Sequence, residues 1–91
     1  MTSFFTEFVH TDRGVVCSGS RFMDLSTAQE CSGAIDYAKS FNSDANYRGE
    51  GSWDEYPKGC YIYDSGGMFF NTHPTGARHS NYRNICRKGN T

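Results

Sequence analysis

The sequence predicts an α+β domain in which one α-helix packs across an antiparallel β-sheet and two disulfides staple the fold. Three observations predict this class: one stretch with helical spacing of apolar residues, one hairpin pattern, and four cysteines in 91 residues. A chain of this length is one domain, residues 1–91, and we expect its core to span residues 17–88. A core of this size is marginal on its own, so covalent staples are expected.

Residues 26–41 carry the helical pattern. Ser26 followed by Gln29 fits a capping box, in which a hydroxyl and a side-chain amide satisfy free backbone N–H groups at the helix start. The apolar residues that then recur at helical spacing are Ala28, Cys31, Ala34, Ile35, Ala38 and Phe41. Because polar residues 42–44 provide the stop, the sequence predicts one helix of about four turns, with Cys31 on its buried face.

Residues 61–70 predict a β-hairpin. Residues 60–63 are rich in strand formers, 64–67 have turn composition, and 68–70 run back. Alternation along the two strands is expected to separate two sets of side chains: Cys60, Ile62 and Phe69 on one face, and Tyr61, Tyr63 and Phe70 on the other. Aromatic residues on both faces indicate a central hairpin that the helix covers on one side.

Shorter β-prone stretches lie near the two ends of the chain, at residues 4–9, 14–17 and 84–87. Three polar stretches, predicted as loops, separate the elements: residues 18–25, 42–59 and 72–82. The middle stretch is also compatible with a strand near Tyr47 or Trp53. The resulting order of elements favours a sheet with a helix across one face.

The four cysteines are Cys17, Cys31, Cys60 and Cys86. No two are close enough for a C-x-x-C pair, so they indicate two disulfides rather than a zinc site. Three pairings are possible, and four free thiols in a reducing compartment are the alternative. With the helix across the sheet, the preferred pairing joins Cys31 to Cys60 and Cys17 to Cys86.

Charge and hydropathy narrow the choice of partner and compartment. The net charge of −1 argues against nucleic acid or an anionic membrane surface as a partner. No apolar stretch reaches the length of a membrane span, so no membrane insertion is expected. Cysteine usage predicts an extracellular or cell-surface protein, yet the first residues show no export signal, and we therefore expect the natural chain to begin before Met1.

The arrangement of cysteines resembles the PAN/apple domain, in which a disulfide tethers a helix to a central sheet and another can join the terminal strands. The resemblance is carried by Cys31 within residues 28–31, Cys60 within residues 57–61, and the outer pair Cys17 and Cys86. Residues 57–86, with 70–73 and 85–87, also look like a cysteine-containing module of uncharacterised algal proteins. The resemblance implies extracellular adhesion, or recognition of carbohydrate or protein.

A weaker similarity points to small secreted guanyl-specific ribonucleases of fungi. It is carried by residues 26–29, 56–57 and 72–77, and it implies His73 as the acid and Arg78 as the phosphate ligand. This chain has Lys58 where the family has a histidine after Tyr-Pro. No glutamate follows on a hairpin strand, so the acid–base pair of the family is incomplete.

Other catalytic and metal-binding templates are also incomplete. No nucleophile-elbow G-x-S-x-G occurs, and the thiols are expected to be consumed in bridges. His73 and His79 are six residues apart, wider than the usual spacing of zinc ligands. We predict no catalytic residues, no metal and no cofactor.

Aromatic residues make up 15 % of the chain, more than a small core needs, and several fall in polar stretches. Such rings can stack on a sugar or anchor a protein partner. Two candidate ligand-binding groups follow: Tyr47, Trp53, Asp54 and Tyr56 in one, and Asn71, His73, Arg78 and His79 in the other. In the alternative, these rings only cover the open side of the sheet, as in a structural or matrix component without a discrete ligand.

Overall fold

The computed structural model describes residues 7–89 as a mixed β-sheet with two short helices and two disulfides. The elements, in chain order, are β1 (Phe8–His10), β2 (Phe22–Asp24), α1 (Ala28–Gly33), α2 (Ile35–Lys39), β3 (Asn46–Gly51), β4 (Pro57–Tyr63), β5 (Gly67–Gly76) and β6 (Tyr82–Lys88). The predicted α+β class is confirmed. Neither helix has the length and apolarity that crossing a membrane requires within the described residues.

The sheet runs in the order β1–β6–β4–β5–β3, and β2 also pairs with β6. The predicted hairpin is central: β4 pairs antiparallel with both β5 and β6. The prediction of an antiparallel sheet is wrong for one pair, because β3 runs parallel to β5. β3 contains Tyr47, where a strand was expected as an alternative to a loop, and its sequence, Asn-Tyr-Arg-Gly-Glu-Gly, has two glycines and three polar residues, which lower its strand propensity.

The predicted single helix is two helices, which break at Ala34. Its backbone leaves the helical region at φ −91° and ψ 5°, directly after Gly33, a weak helix former. The capping box is also shifted by one residue from the predicted position. Thr27 Oγ1 accepts a hydrogen bond from the Glu30 amide at 3.0 Å, and the Glu30 carboxylate accepts one from the Ser26 amide at 2.8 Å.

The helices pack on one face of the sheet and enclose the apolar core. Its buried members are Leu25, Cys31, Ala34, Ala38, Ala45, Cys60, Ile62, Met68, Phe70 and Ile85. Cys31 is fully buried, as predicted. The predicted faces of Phe69 and Phe70 are exchanged, because β5 pairs Phe70 with Cys60 and Phe69 with Tyr61. A one-residue difference in hairpin register moves every following side chain to the opposite face.

The two disulfides join Cys31 to Cys60 and Cys17 to Cys86, with Cα–Cα distances of 5.3 and 5.7 Å. This is the preferred pairing of the sequence analysis. The first fastens α1 to β4 inside the core, and the second fastens the segment before β2 to β6. Residues 14–17 form no strand but are held by the second bond. Residues 4–6 of the predicted first strand lie outside the described residues.

Candidate functional site

Seven rings cover much of the sheet on the side away from the helices, and we call this surface the aromatic face. Neighbouring rings have centroids 4.2 to 6.3 Å apart. The members are Trp53, Tyr56, Tyr61, Tyr63, Phe69, His79 and Tyr82. All except Tyr61 are partly exposed. The structure thus presents a continuous, solvent-accessible aromatic surface.

The strands place the centre of the aromatic face through their register. Tyr61 pairs across β4 and β5 with Phe69, and Tyr63 pairs across β4 and β6 with Tyr82. Residues directly opposite on neighbouring strands share a face. The Tyr63 and Tyr82 rings consequently stack at 4.2 Å with an interplanar angle of 11°, and the buried Tyr61 ring supports the others from below.

The loop between β3 and β4 adds Trp53 and Tyr56, and the buried Asn71 side chain holds it. Asn71 Nδ2 donates to the carbonyl oxygens of Trp53 and Tyr56 at 2.7 and 3.0 Å. The Trp53 ring lies over Gly51, where a Cβ would overlap the indole. This contact and the Asn71 bonds fix the indole against Tyr61 and Phe69 in edge-to-face geometry.

His79 completes the aromatic face beside β6. Its ring stacks on Tyr82 at 4.3 Å with an interplanar angle of 18°, and its Nδ1 accepts a hydrogen bond from the Asn81 amide at 3.2 Å. Three predicted ligand-binding residues therefore meet on one surface, although the sequence analysis divided them between two groups: Trp53, Tyr56 and His79.

The other predicted site residues lie elsewhere or have structural partners. Tyr47 packs against the core on the helix side, and Asp54 and Arg78 are exposed. Asn71 is buried and positions the loop of Trp53. His73 Nδ1 accepts hydrogen bonds from the amides of Thr75 at 3.2 Å and Gly76 at 2.9 Å, which occupies one nitrogen of the acid that the ribonuclease resemblance implies.

Sequence reasoning did not assign Tyr61, Tyr63, Phe69 and Tyr82 to the site. The usable signal was the alternation of Tyr61 and Tyr63 in β4, which directs both rings to the face away from Cys60 and Ile62. Phe69 was placed on the wrong face, and Tyr82 falls at the first position of a strand predicted to begin two residues later. The register of strand pairing decides which rings belong to the aromatic face, and the pattern of a single sequence does not supply that register.

Three phenols of the aromatic face, those of Tyr56, Tyr61 and Tyr63, have raised pKa values. Burial raises the pKa of Tyr61 and also that of Tyr63, with the Tyr82 hydroxyl as a further cause. The charge of the neighbouring Tyr63 phenolate would raise the pKa of Tyr56. These phenols remain neutral at physiological pH and can donate or accept hydrogen bonds. The face combines flat apolar rings with neutral polar tips.

Among residues 7–89, no group of three or more His, Cys, Asp or Glu side chains is placed to hold a metal ion. Comparison with known proteins found no match among protein families, curated proteins or solved structures. Function is therefore inferred from the chemistry of the aromatic face. That chemistry is stacking by the rings and hydrogen bonding by the phenols.

Proposed function

We propose that this protein is an extracellular recognition module with a PAN/apple-like architecture, and that its aromatic face binds carbohydrate on a glycan or glycoprotein. The observation that carries the proposal is the cluster of seven contiguous rings on the sheet surface away from the helices. Exposed contiguous aromatic surface of this kind marks interaction sites on small proteins. Adhesion to a cell surface or matrix is the biological role that fits such a module.

Carbohydrate suits this surface because a pyranose ring has an apolar face of C–H groups and an equatorial rim of hydroxyls. The stacked Tyr63 and Tyr82 rings offer a flat area for the C–H face. Tyr56 and the neighbouring phenols offer neutral donors and acceptors for the sugar hydroxyls. No carboxylate, ammonium or guanidinium belongs to the aromatic face, which favours a neutral sugar. A protein partner would instead use the same rings as anchors.

The covalent framework supports the likeness to PAN/apple domains and an extracellular location. The Cys31–Cys60 bond tethers α1 to the central strand β4, and the Cys17–Cys86 bond ties the N-terminal segment to β6. This is the disulfide pattern that the resemblance implies. Disulfides persist in oxidising compartments, and small secreted domains depend on them.

A glycan array combined with cell-surface staining tests the proposal. We expect wild-type protein to give a discrete glycan signal, which Tyr82→Ala reduces at least tenfold. Phe22→Ala serves as the matched control, because Phe22 is an exposed aromatic on β2 outside the aromatic face. Staining that survives removal of cell-surface glycans would identify a protein ligand instead. Absence of both signals would contradict recognition and favour a matrix component.

A further inference from the structure

A second concave site lies away from the aromatic face, between the β2–α1 connection, the start of β4 and the middle of β5. The cavity has a volume of about 430 Å³, within the range of small-molecule sites and near its lower end. None of the seven rings of the aromatic face lines it. The site is thus large enough for one small ligand and can be tested separately.

The charged groups of this cavity are the Asp24 carboxylate and the Lys58 ammonium, and the polar side chains of Ser26, Asn71, Thr72 and His73 also line it. The Asp24 carboxylate is partly buried, and its Oδ2 lies 3.9 Å from Lys58 Nζ, too far for a hydrogen bond. Within residues 7–89 no closer donor binds this carboxylate. Burial raises the pKa of Asp24, and the charge of Lys58 lowers it in part. Asp24 therefore retains acceptor capacity inside the cavity.

The backbone at Gly59 makes room for this carboxylate. Gly59 has φ +82°, and a Cβ there would lie 3.1 to 3.3 Å from the Asp24 side chain. The register of β4 against β5 shifts between Pro57 and Gly59, and bulges of this kind often re-aim side chains beside functional sites. Leu25 and Phe70 also line the cavity, although both belong to the core, with 1 % and 8 % of their surface exposed.

We propose that this cavity binds one neutral monosaccharide unit, with Asp24 accepting hydrogen bonds from sugar hydroxyls and Lys58 donating to a sugar oxygen. A hydroxyl pair uses both charged groups at once, because each hydroxyl can donate and accept. An anion would pair with Lys58 but be repelled by Asp24, and a cationic amine would pair with Asp24 but be repelled by Lys58, so neither satisfies both groups as sugar hydroxyls do. The volume admits one ring rather than an oligosaccharide.

The test is a titration of uniformly ¹⁵N-labelled full-length protein with D-glucose, D-galactose, D-mannose and N-acetyl-D-glucosamine, followed by two-dimensional NMR. We expect at least one sugar to give saturable amide shifts concentrated at residues 24–26, 58–59 and 70–73. Asp24→Asn keeps the shape of the side chain and removes its charge. The substitution should lower the affinity for that sugar by about tenfold or more, because hydrogen bonds to a charged group are lost.

Asp36→Asn is the matched control, since it makes the same change on the exposed surface of α2 and should leave the affinity unchanged. Lys58→Met provides a second variant, which removes the ammonium group of the cavity and keeps an apolar stem. Tyr82→Ala should also leave these shifts intact, which separates this site from the aromatic face. Phosphate and ethylamine are titrated in the same way as charged probes. The proposal is overturned if none of the four sugars gives saturable shifts at these amides, if Asp24→Asn binds as tightly as wild type, or if only phosphate or ethylamine produces the shifts.

Discussion

Asn71 hydrogen-bonds to both backbone polar groups of Trp53, accepting from the amide at 2.9 Å and donating to the carbonyl at 2.7 Å. The Asn71 side chain on β5 thus satisfies backbone hydrogen-bonding groups of the β3–β4 loop, as the backbone of a neighbouring strand would. The same amide nitrogen reaches the carbonyls of Tyr56 and Pro57, each at 3.0 Å. One buried residue therefore positions two rings of the aromatic face.

Asn71→Ala should destabilise the protein and also loosen Trp53. The substitution leaves backbone groups of the loop without partners, and we expect the free energy of unfolding to fall by about 2 kcal/mol or more. Urea titration measures that loss, and a red shift of tryptophan emission in native protein reports exposure of the indole. Asn81→Ala, at an exposed position, is the control. A stable variant with unchanged emission would show that the loop holds Trp53 without Asn71.

Gly51→Ala and Gly33→Ala should change stability in opposite directions. A Cβ at Gly51 would overlap the Trp53 indole, and such overpacking costs about 1–3 kcal/mol. At Gly33 a Cβ meets no atom within 4 Å, and the position is helical, so alanine should add about 0.5 kcal/mol. Chemical denaturation of both variants checks the pair. Equal effects of the same sign would contradict the placement of the indole over Gly51.

The two disulfides should contribute separately to stability. The Cys17–Cys86 bond closes a sequence separation of 69 residues and the Cys31–Cys60 bond one of 29. Loop-closure entropy then gives about 4.5 and about 3.5 kcal/mol. Replacing each pair with alanine and measuring unfolding by urea tests these values, with fully reduced wild type as the reference. Folded protein whose intact mass shows four unoxidised thiols would contradict the framework and the extracellular assignment together.

The sequence was sufficient for the elements with strong local signals. The hairpin of β4 and β5, the buried position of Cys31 and the preferred cysteine pairing all follow from alternation, helical spacing and element order. β2 was assigned to a loop although it contains Phe22 and Met23, because it is only three residues long. β3 lies in a polar, glycine-rich stretch in which a strand near Tyr47 was an alternative to a loop, and both strands owe their geometry to pairing with β6 and β5. Tertiary pairing overrides weak local propensity at such positions.

The candidate site was predictable only in part for a related reason. Trp53, Tyr56 and His79 stood out as aromatic or titratable residues in polar stretches. Their convergence with Tyr61 and Tyr82 depends on hairpin register and on the hydrogen bonds of Asn71, which link residues 14 to 18 positions apart in the chain. A single sequence shows which rings are available, but not which strand face each one occupies.

His10 should make stability sensitive to mild acid. Its Nδ1 lies 2.7 Å from the Tyr37 hydroxyl, and its ring stacks on Phe41 at 3.8 Å. Burial lowers the pKa of His10 below 6.5, and the Arg83 guanidinium lowers it further, against an opposing effect of Asp12. The folded state therefore favours the neutral imidazole, and protonation of His10 favours the unfolded chain.

The sign of the effect follows from the lowered pKa. The contribution of His10 is fully present above its unfolded-state pKa of 6.5 and is lost as the pH falls through the lower folded-state value. We expect the free energy of unfolding to decline as the pH falls below the unfolded-state value of 6.5, and to decline less steeply in His10→Gln. If the free energy of unfolding depends on pH in the same way in wild type and His10→Gln, another group controls stability in this pH range.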